Sequence, residues 1–244
     1  MKPFLLLATR AEEAAADDEY LAFLRAGALT AGELVRIRLE AGSLPELDLA
    51  EFSGVIVGGS PFNSSDPADG KSAVQLRVEA YLTGLLDEIV RQDFPFLGAC
   101  YGVGTLGTHQ GARVDRLFGE PIGPVQITLT EDGVRDPMLH GLPRAFQAFV
   151  GHKEACSALP AHATLLASSA TCPVQMFRIK HNLYATQFHP ELDVAGLLTR
   201  IDAYRNAGYF PPDQVEQVRA TARSAAVDQP GAILRNFVQR YRRP

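Results

Sequence analysis

Apolar positions follow two rhythms along the chain. In the first half, short apolar runs alternate with stretches of helical period. Pro3 to Ala8 is almost wholly apolar, as in a strand buried on both faces. Asp18 to Ala26 predicts a helix, and Leu34-Val-Arg-Ile-Arg-Leu39 alternates apolar and basic residues as a half-buried strand does. Gly54 to Ser60 runs an apolar strand into a glycine turn, and residues 63–70, rich in Asn, Ser, Asp, Pro and Gly, predict a loop. Val74, Val78, Tyr81, Leu82, Leu85, Leu86 and Ile89 recur at the 3.6-residue period of an amphipathic helix over 72–91. Pro95 to Ala99 predicts a further strand, with a turn into a helix from Cys100. Strand and helix alternating at this spacing imply βαβ units and a parallel sheet.

From about residue 123 the rhythm changes. Val125–Leu129, Ala145–Val150, Thr164–Ala167, Val174–Ile179 and Leu183–Gln187 predict short strands with little helix between them. Residues 193–206, 212–226 and 230–241 then predict three helices, parted by Pro211, Pro212 and Pro230 at or near helix starts. We expect an α/β domain over 1–193 and a helical C-terminal extension over 194–244. Leu197, Leu198, Ile201 and Tyr204 mark one apolar face of the extension, and Ile233, Leu234, Phe237 and Val238 another. Helices this short are marginal alone, so these faces must be covered. The prolines favour packing on the chain's own domain; a homodimer through a symmetric patch is the alternative.

Composition narrows the classes. At 244 residues, with 46% apolar residues and a net charge of −5, the chain is not a disordered one. No apolar run exceeds five residues, far short of the ~18 that suggest a membrane span. No cleavable leader pattern follows Lys2, so a cytoplasmic chain without a membrane partner is expected. Residues 194–244 carry 8 basic and 4 acidic side chains, a net of +4, against −9 for the rest. That footprint is too weak for a nucleic-acid site and reads as a solvated C-terminal helix or an interface with an acidic surface. The three cysteines, Cys100, Cys156 and Cys172, lack zinc-site spacing. Reduced thiols are expected, with no metal and no cofactor.

Three segments carry chemistry. Gly98-Ala-Cys100-Tyr-Gly102 follows a buried strand and opens a helix, the pattern of a nucleophile elbow with Cys as the nucleophile. Small residues two places either side of it avoid collision with the backbone, and the helix N-terminus favours thiolate. Gly102-Val-Gly104-Thr-Leu-Gly107 also spells G-x-G-x-x-G, but it lacks the acidic residue on a second strand that dinucleotide binding needs. At the end of another predicted strand stands His189-Pro190-Glu191. Residues two apart at a strand end point the same way, so Glu191 is placed to orient the imidazole of His189. Gly58-Gly59-Ser60-Pro61 ends a third strand, where a backbone N–H can meet a developing oxyanion.

Together with Gly151-His152-Lys-Glu, these segments resemble the class I (triad) glutamine amidotransferases, and most closely the stand-alone GMP-synthase-like members. The resemblance runs from about residue 1 to 193. It implies a flavodoxin-like three-layer fold with a mostly parallel sheet, and a Cys-His-Glu triad of Cys100, His189 and Glu191. It also implies an oxyanion hole from the backbone N–H groups of Gly59 and Tyr101, with Gly58, Gly104 and His152 around the substrate. The implied reaction is hydrolysis of the side-chain amide of glutamine, or of a γ-glutamyl amide, through a γ-glutamyl thioester that releases ammonia. An ammonia-accepting synthase is the partner such chemistry implies. One departure stands out: the family's substrate-binding Gln, four residues after the nucleophile, is Gly104 here. The alternatives are therefore a hydrolase of a different amide, with space at Gly104 for a larger group, or a non-catalytic binding module on the same scaffold.

Overall fold

The computed structural model describes residues 1–42 and 44–244. In chain order its elements are β1 (Phe4–Ala8), α1 (Glu13–Gly27), β2 (Leu34–Arg38), β3 (Val55–Val57), α2 (Ala73–Gln92), β4 (Phe96–Ala99) and α3 (Tyr101–His109). There follow β5 (Arg113–Asp115), β6 (Glu120–Leu129), α4 (Glu131–Arg135), β7 (Ala145–His152), β8 (Ala155–Ala158), β9 (Ala163–Ser168), β10 (Met176–Ile179) and β11 (Leu183–Thr186). Three helices close the chain: α5 (Val194–Ala203), α6 (Val215–Ser224) and α7 (Gly231–Tyr241).

The main sheet has the order β2-β1-β3-β4-β11-β10-β9-β6-β7. Its first five strands are parallel, the 2-1-3-4-5 order of flavodoxin-like folds. From β11 onward the pairing turns antiparallel through β10, β9, β6 and β7. Strand alternation divides the apolar residues between two layers. Phe4, Leu6, Ile56 and Leu97 pack on one face with Phe23 of α1 and Phe237 of α7. Leu5, Leu7, Val55, Val57 and Phe96 pack on the other with Val78 and Leu82 of α2 and Leu106 of α3. That is why β1 reads as an unbroken apolar run: all five of its residues are fully buried.

The sequence pattern misses three small elements. β5 and β8 form a separate two-stranded ribbon, and Arg113-Val-Asp is too short and polar to show a period. α4 is a five-residue helix capped by the Thr130 hydroxyl on the Gly133 N–H. α1 starts earlier than expected because Ala15 and Ala16 lie on its buried side, and alanine carries helix propensity without marking a stripe. Residues 212–214 form a 3₁₀ turn ahead of α6.

The last three helices share core with the rest of the chain. α5 packs on α1 and α6, and α7 packs on α1. The Phe237 and Phe4 rings lie 5.7 Å apart. Leu197 and Ile201 of α5 cluster with Phe149 of β7 and Leu192. Among the described residues, no helix is long and apolar enough to cross a membrane.

Candidate active site

The parallel strands end on one edge of the sheet, and that edge gathers the predicted residues. Arg10 follows β1, Gly58 to Ser60 follow β3, Cys100 follows β4 and His189 follows β11. This is the edge at which open α/β sheets bind ligands.

Cys100 has φ 56° and ψ −84°, a left-handed strain that an L-residue adopts only where its surroundings enforce it. β4 and β11 hold it there: the Cys100 N–H donates to the Thr186 carbonyl at 2.7 Å. The glycine requirement proves one-sided. A Cβ on Gly98 would stand 2.6 Å from the Gly102 Cα, whereas one on Gly102 would meet nothing closer than 3.7 Å. Gly98 is the residue the elbow cannot replace, and the expected collision at Gly102 does not occur.

His189 Nδ1 lies 2.9 Å from Glu191 Oε1, the pairing that the two-residue spacing predicts. Both side chains are buried, and two arginines complete the cluster. Arg200 Nη2 donates to Glu191 Oε1 at 2.8 Å and to Glu19 Oε1 at 3.3 Å. Arg10 Nε donates to Glu19 Oε1 at 2.9 Å, and its Nη1 to the Tyr204 hydroxyl at 3.0 Å. Arg200 Nη1 also stands 2.8 Å from His189 Nδ1. That nitrogen faces both a carboxylate, to which it can donate, and a guanidinium, from which it can only accept. The anionic Glu191 favours Nδ1 as donor, which leaves Nε2 as the basic nitrogen. Burial would raise the Glu191 carboxyl, but His189 and Arg200 outweigh it and hold it well below the usual carboxylate range.

Burial also decides the state of the thiol. It pushes Cys100 up to about 12, against the pull of Arg10 and Arg200. Burial lowers His189 from its ordinary value, and Arg200 and Arg10 lower it further against Glu191. The resting pair is thus a neutral thiol and a neutral imidazole. Burial thus opposes the thiolate that the helix N-terminus favours.

Two narrow chambers flank Cys100. The first is lined by Ser60, Tyr101, Gly104, Glu154, Gln187 and Tyr209, among others. The second is lined by Arg10, Ser60, His189, Arg200, Tyr204 and Tyr209, with an apolar side of Ile122, Val150, Leu192 and Leu197. Among the described residues, the buried Gln187 Oε1 and Tyr101 hydroxyl, on two residues that line the first chamber, have no hydrogen-bond partner.

Several expected residues stand otherwise than the sequence suggests. Gly58 lines neither chamber; its face is closed by Glu19, whose Oε2 would stand 2.7 Å from a Cβ there. The Gly59 N–H donates to Glu19 Oε1 at 3.2 Å, so it is engaged rather than open to an oxyanion. A Cβ on Gly59 would collide with Arg10 Nη2 and stand 2.8 Å from His189 Cε1. Gly59 is therefore needed for close packing of those two side chains. Ser60, the next residue, lines both chambers. Tyr101 opens α3, so its N–H has no acceptor within the helix. His152 reaches the first chamber, but both ring nitrogens are committed, Nδ1 at 2.8 Å from the Glu154 carbonyl and Nε2 at 2.8 Å from Glu120 Oε2. It braces the Glu154 turn. Gly104 opens no extra space: a Cβ there would stand 2.6 Å from Ser64 Oγ and 2.8 Å from Glu154 Oε1. Glu154 itself accepts the Ser64 and Ser65 N–H groups at 2.8 and 2.7 Å. The place of a glutamine side chain is thus filled from the β3–α2 connection and β7–β8 turn.

Arg10, Glu19, Arg200 and Tyr209 escape the sequence pattern, and Tyr204 enters it only as part of an apolar face. A signal exists for two of them. Glu19 sits on the apolar side of α1 with Ala15, Ala22 and Phe23, and Arg200 sits beside Leu197 and Ile201 on the buried side of α5. A charge on a buried face is rarely there without a partner.

The sequence profile described as "Glutamine amidotransferase class-I" matches residues 27–195. A glutamine-hydrolysing GMP synthase subunit from Thermoplasma volcanium is 30% identical over 162 residues, covering 66% of this chain and 71% of that one. "Gamma-glutamyl peptidase 3" of Arabidopsis thaliana is 28% identical over 197 residues, covering 79% and 76%. Among solved structures, a glutamine amidotransferase from Thermotoga maritima superposes with a TM-score of 0.77 at 23% identity, covering 99% of this chain and 98% of that one. A glutamine amido transferase from Methylobacillus flagellatus superposes with a TM-score of 0.73 at 15% identity, covering 100% and 97%. The likeness in fold therefore extends through α5, α6 and α7.

Proposed function

The chain belongs to the class-I glutamine amidotransferase family, and from that premise we propose that it is a cysteine hydrolase of glutamine or of a γ-glutamyl amide. The observation that carries this reading is the strained elbow of Cys100 beside a buried His189–Glu191 pair, with Cys100 and His189 facing one chamber. The substrate's γ-glutamyl part enters the first chamber, where Gln187, Tyr101 and Glu154 offer polar contacts. Cys100 Sγ attacks the amide carbon as its proton passes to His189 Nε2. The oxyanion meets the Tyr101 N–H and the backbone of the Gly59–Ser60 turn; the Gly59 N–H takes part only by leaving Glu19, which keeps Arg10 and Arg200. His189 then protonates the departing nitrogen, the C–N bond breaks and a γ-glutamyl thioester remains. Water, activated by the same imidazole, frees glutamate and restores the thiol. Glu191 keeps the ring in the required tautomer and balances its transient charge.

Released ammonia would serve a synthase partner, a reading supported by the relatives that carry the GMP synthase name. The alternative of a non-catalytic module is disfavoured by the complete set of Cys100, His189 and Glu191. The test is release of glutamate from L-glutamine and from γ-glutamyl amides by the purified chain, together with labelling by a chloroketone of the glutamine skeleton. Turnover with saturable labelling at Cys100 is expected. Absence of both overturns the reading.

A further inference from the structure

We infer that Tyr209 is the gate to Cys100: the site stands shut in this structure, and a substrate enters when the Tyr209 ring swings out on the surface connection between α5 and α6.

The space beside the nucleophile is small. Each chamber has room for about 20 Å³, enough for about one water molecule. A γ-glutamyl group needs far more on either side of the thiol. Some part of the wall must therefore move before Cys100 can meet an amide carbon.

Ser60, Cys100, Gly151 and Tyr209 line both chambers, so displacing one of these four widens both together. Three of them are fixed. Cys100 is tied to β11 through the Thr186 carbonyl. Gly151 lies within β7. Ser60 is buried beside Gly59, where Arg10 and His189 leave no space for a Cβ. Tyr209 stands apart. It lies outside any helix or strand, and residues 205–208 ahead of it are exposed. Gly208 has φ 80°, and a glycine at that point can absorb the dihedral change of a hinge.

The connection is anchored at both ends and latched between them. The Tyr204 hydroxyl accepts from Arg10 Nη1 and donates to Glu12 Oε2, both at 3.0 Å. Phe210 clusters with Leu192 and Leu197. Between these anchors, Lys153 Nζ donates to the Ala207 carbonyl at 2.6 Å and stands 4.8 Å from the centroid of the Tyr209 ring. An ammonium against a ring at the surface is a weak contact, so the ring can leave while Tyr204 and Phe210 stay seated.

The test is the rate at which iodoacetamide alkylates Cys100 in the full chain, followed by mass spectrometry of the peptide that contains it. A minor open state is populated at no more than ~10%, so a permanently open site has at least ~10-fold to gain. Tyr209→Ala should therefore label at least ~10-fold faster than the parent at each pH from 7 to 10. Lys153→Met, which removes the latch and keeps the ring, should gain a smaller factor, and Tyr209→Phe should match the parent. A parent-like rate in Tyr209→Ala overturns the gate, and so does an equal gain in Tyr209→Phe. The chain contains no tryptophan, so Tyr209→Trp places a single reporter on the gate. Carboxamidomethylation of Cys100 adds a group larger than one water, and should shift that emission to longer wavelength as the ring is displaced toward solvent. Unchanged emission in the alkylated protein also overturns the gate. Alkylation needs no turnover, so failure of the gate leaves the hydrolase reading standing, and failure of that reading leaves these rates to decide the gate.

Discussion

Arg200 Nη2 and His189 Nδ1 share one oxygen of Glu191, at 2.8 and 2.9 Å. Arg200 thereby keeps Glu191 ionised and lowers His189. The groups facing this imidazole are Glu191, Arg200 on α5, Arg10 after β1, Glu19 on α1 behind both arginines, and Cys100. We predict that Arg200→Ala raises the acid limb of the kcat/KM profile, because a lowering influence on His189 is lost. Arg200→Lys should restore part of the shift. Removing one member of a buried ionic cluster also costs ~3–5 kcal/mol, so melting must be followed beside the pH profile. An acid limb unmoved in Arg200→Ala contradicts the role given to this residue.

Much of this site is legible in the sequence because its backbone demands are severe. Gly98 must be glycine to pass Gly102, and Gly59 must be glycine to admit His189 and Arg10, so a motif survives in the text. The parallel strands are legible for a similar reason, since burial on both faces leaves an apolar run. Arg10 shows in no pattern, and Arg200 shows only as a charge on the apolar side of its helix, with nothing near it in the sequence to name its partner on α1. Glu19 and Arg200 are 181 residues apart. Gly104 misleads for the opposite reason: a missing side chain suggests space, and Ser64 and Glu154 fill it from elsewhere.

The elbow predicts an asymmetry between two glycines with the same place in the motif. Gly98→Ala forces a Cβ against the Gly102 backbone, which cannot yield without moving Cys100. It should cost several kcal/mol, roughly the upper range for overpacking, and at least ~10²-fold in kcat through displacement of the nucleophile. Gly102→Ala should fold and turn over within a few-fold of the parent. Chemical denaturation and steady-state kinetics of the two variants decide this, and equal damage at both positions refutes the geometry.

Burial raises Cys100 to about 12, so the resting thiol should behave as a weak nucleophile toward reagents that do not occupy the chambers. The alkylation rate of Cys100 by iodoacetamide should climb steadily from pH 7 to pH 10 with no plateau near neutrality. The chloroketone of glutamine, which presents its carbon beside His189, should react far faster at pH 7. A low-pH plateau with iodoacetamide would show a preformed thiolate.

Truncation should be ruinous. Removing residues 194–244 strips Arg200 from the buried cluster and Phe237 from its contact with Phe4. Loss of the Phe237 ring alone is expected to cost ~3–5 kcal/mol. The shortened chain should be insoluble or melt without cooperativity in calorimetry. A soluble, cooperative and active product of truncation would make the three helices dispensable.

Every step proposed for this protein passes through a thioester on Cys100, which acid quenching during turnover would trap. The protein is mixed with γ-glutamylglycine or L-glutamine, quenched within the steady state, digested and analysed by mass spectrometry. A glutamyl adduct should appear on the peptide containing Cys100 and on neither of those containing Cys156 and Cys172. Cys100→Ala should show no adduct and a loss of roughly 10³-fold or more in turnover. An adduct on another cysteine, or turnover that survives Cys100→Ala, would contradict the thioester mechanism.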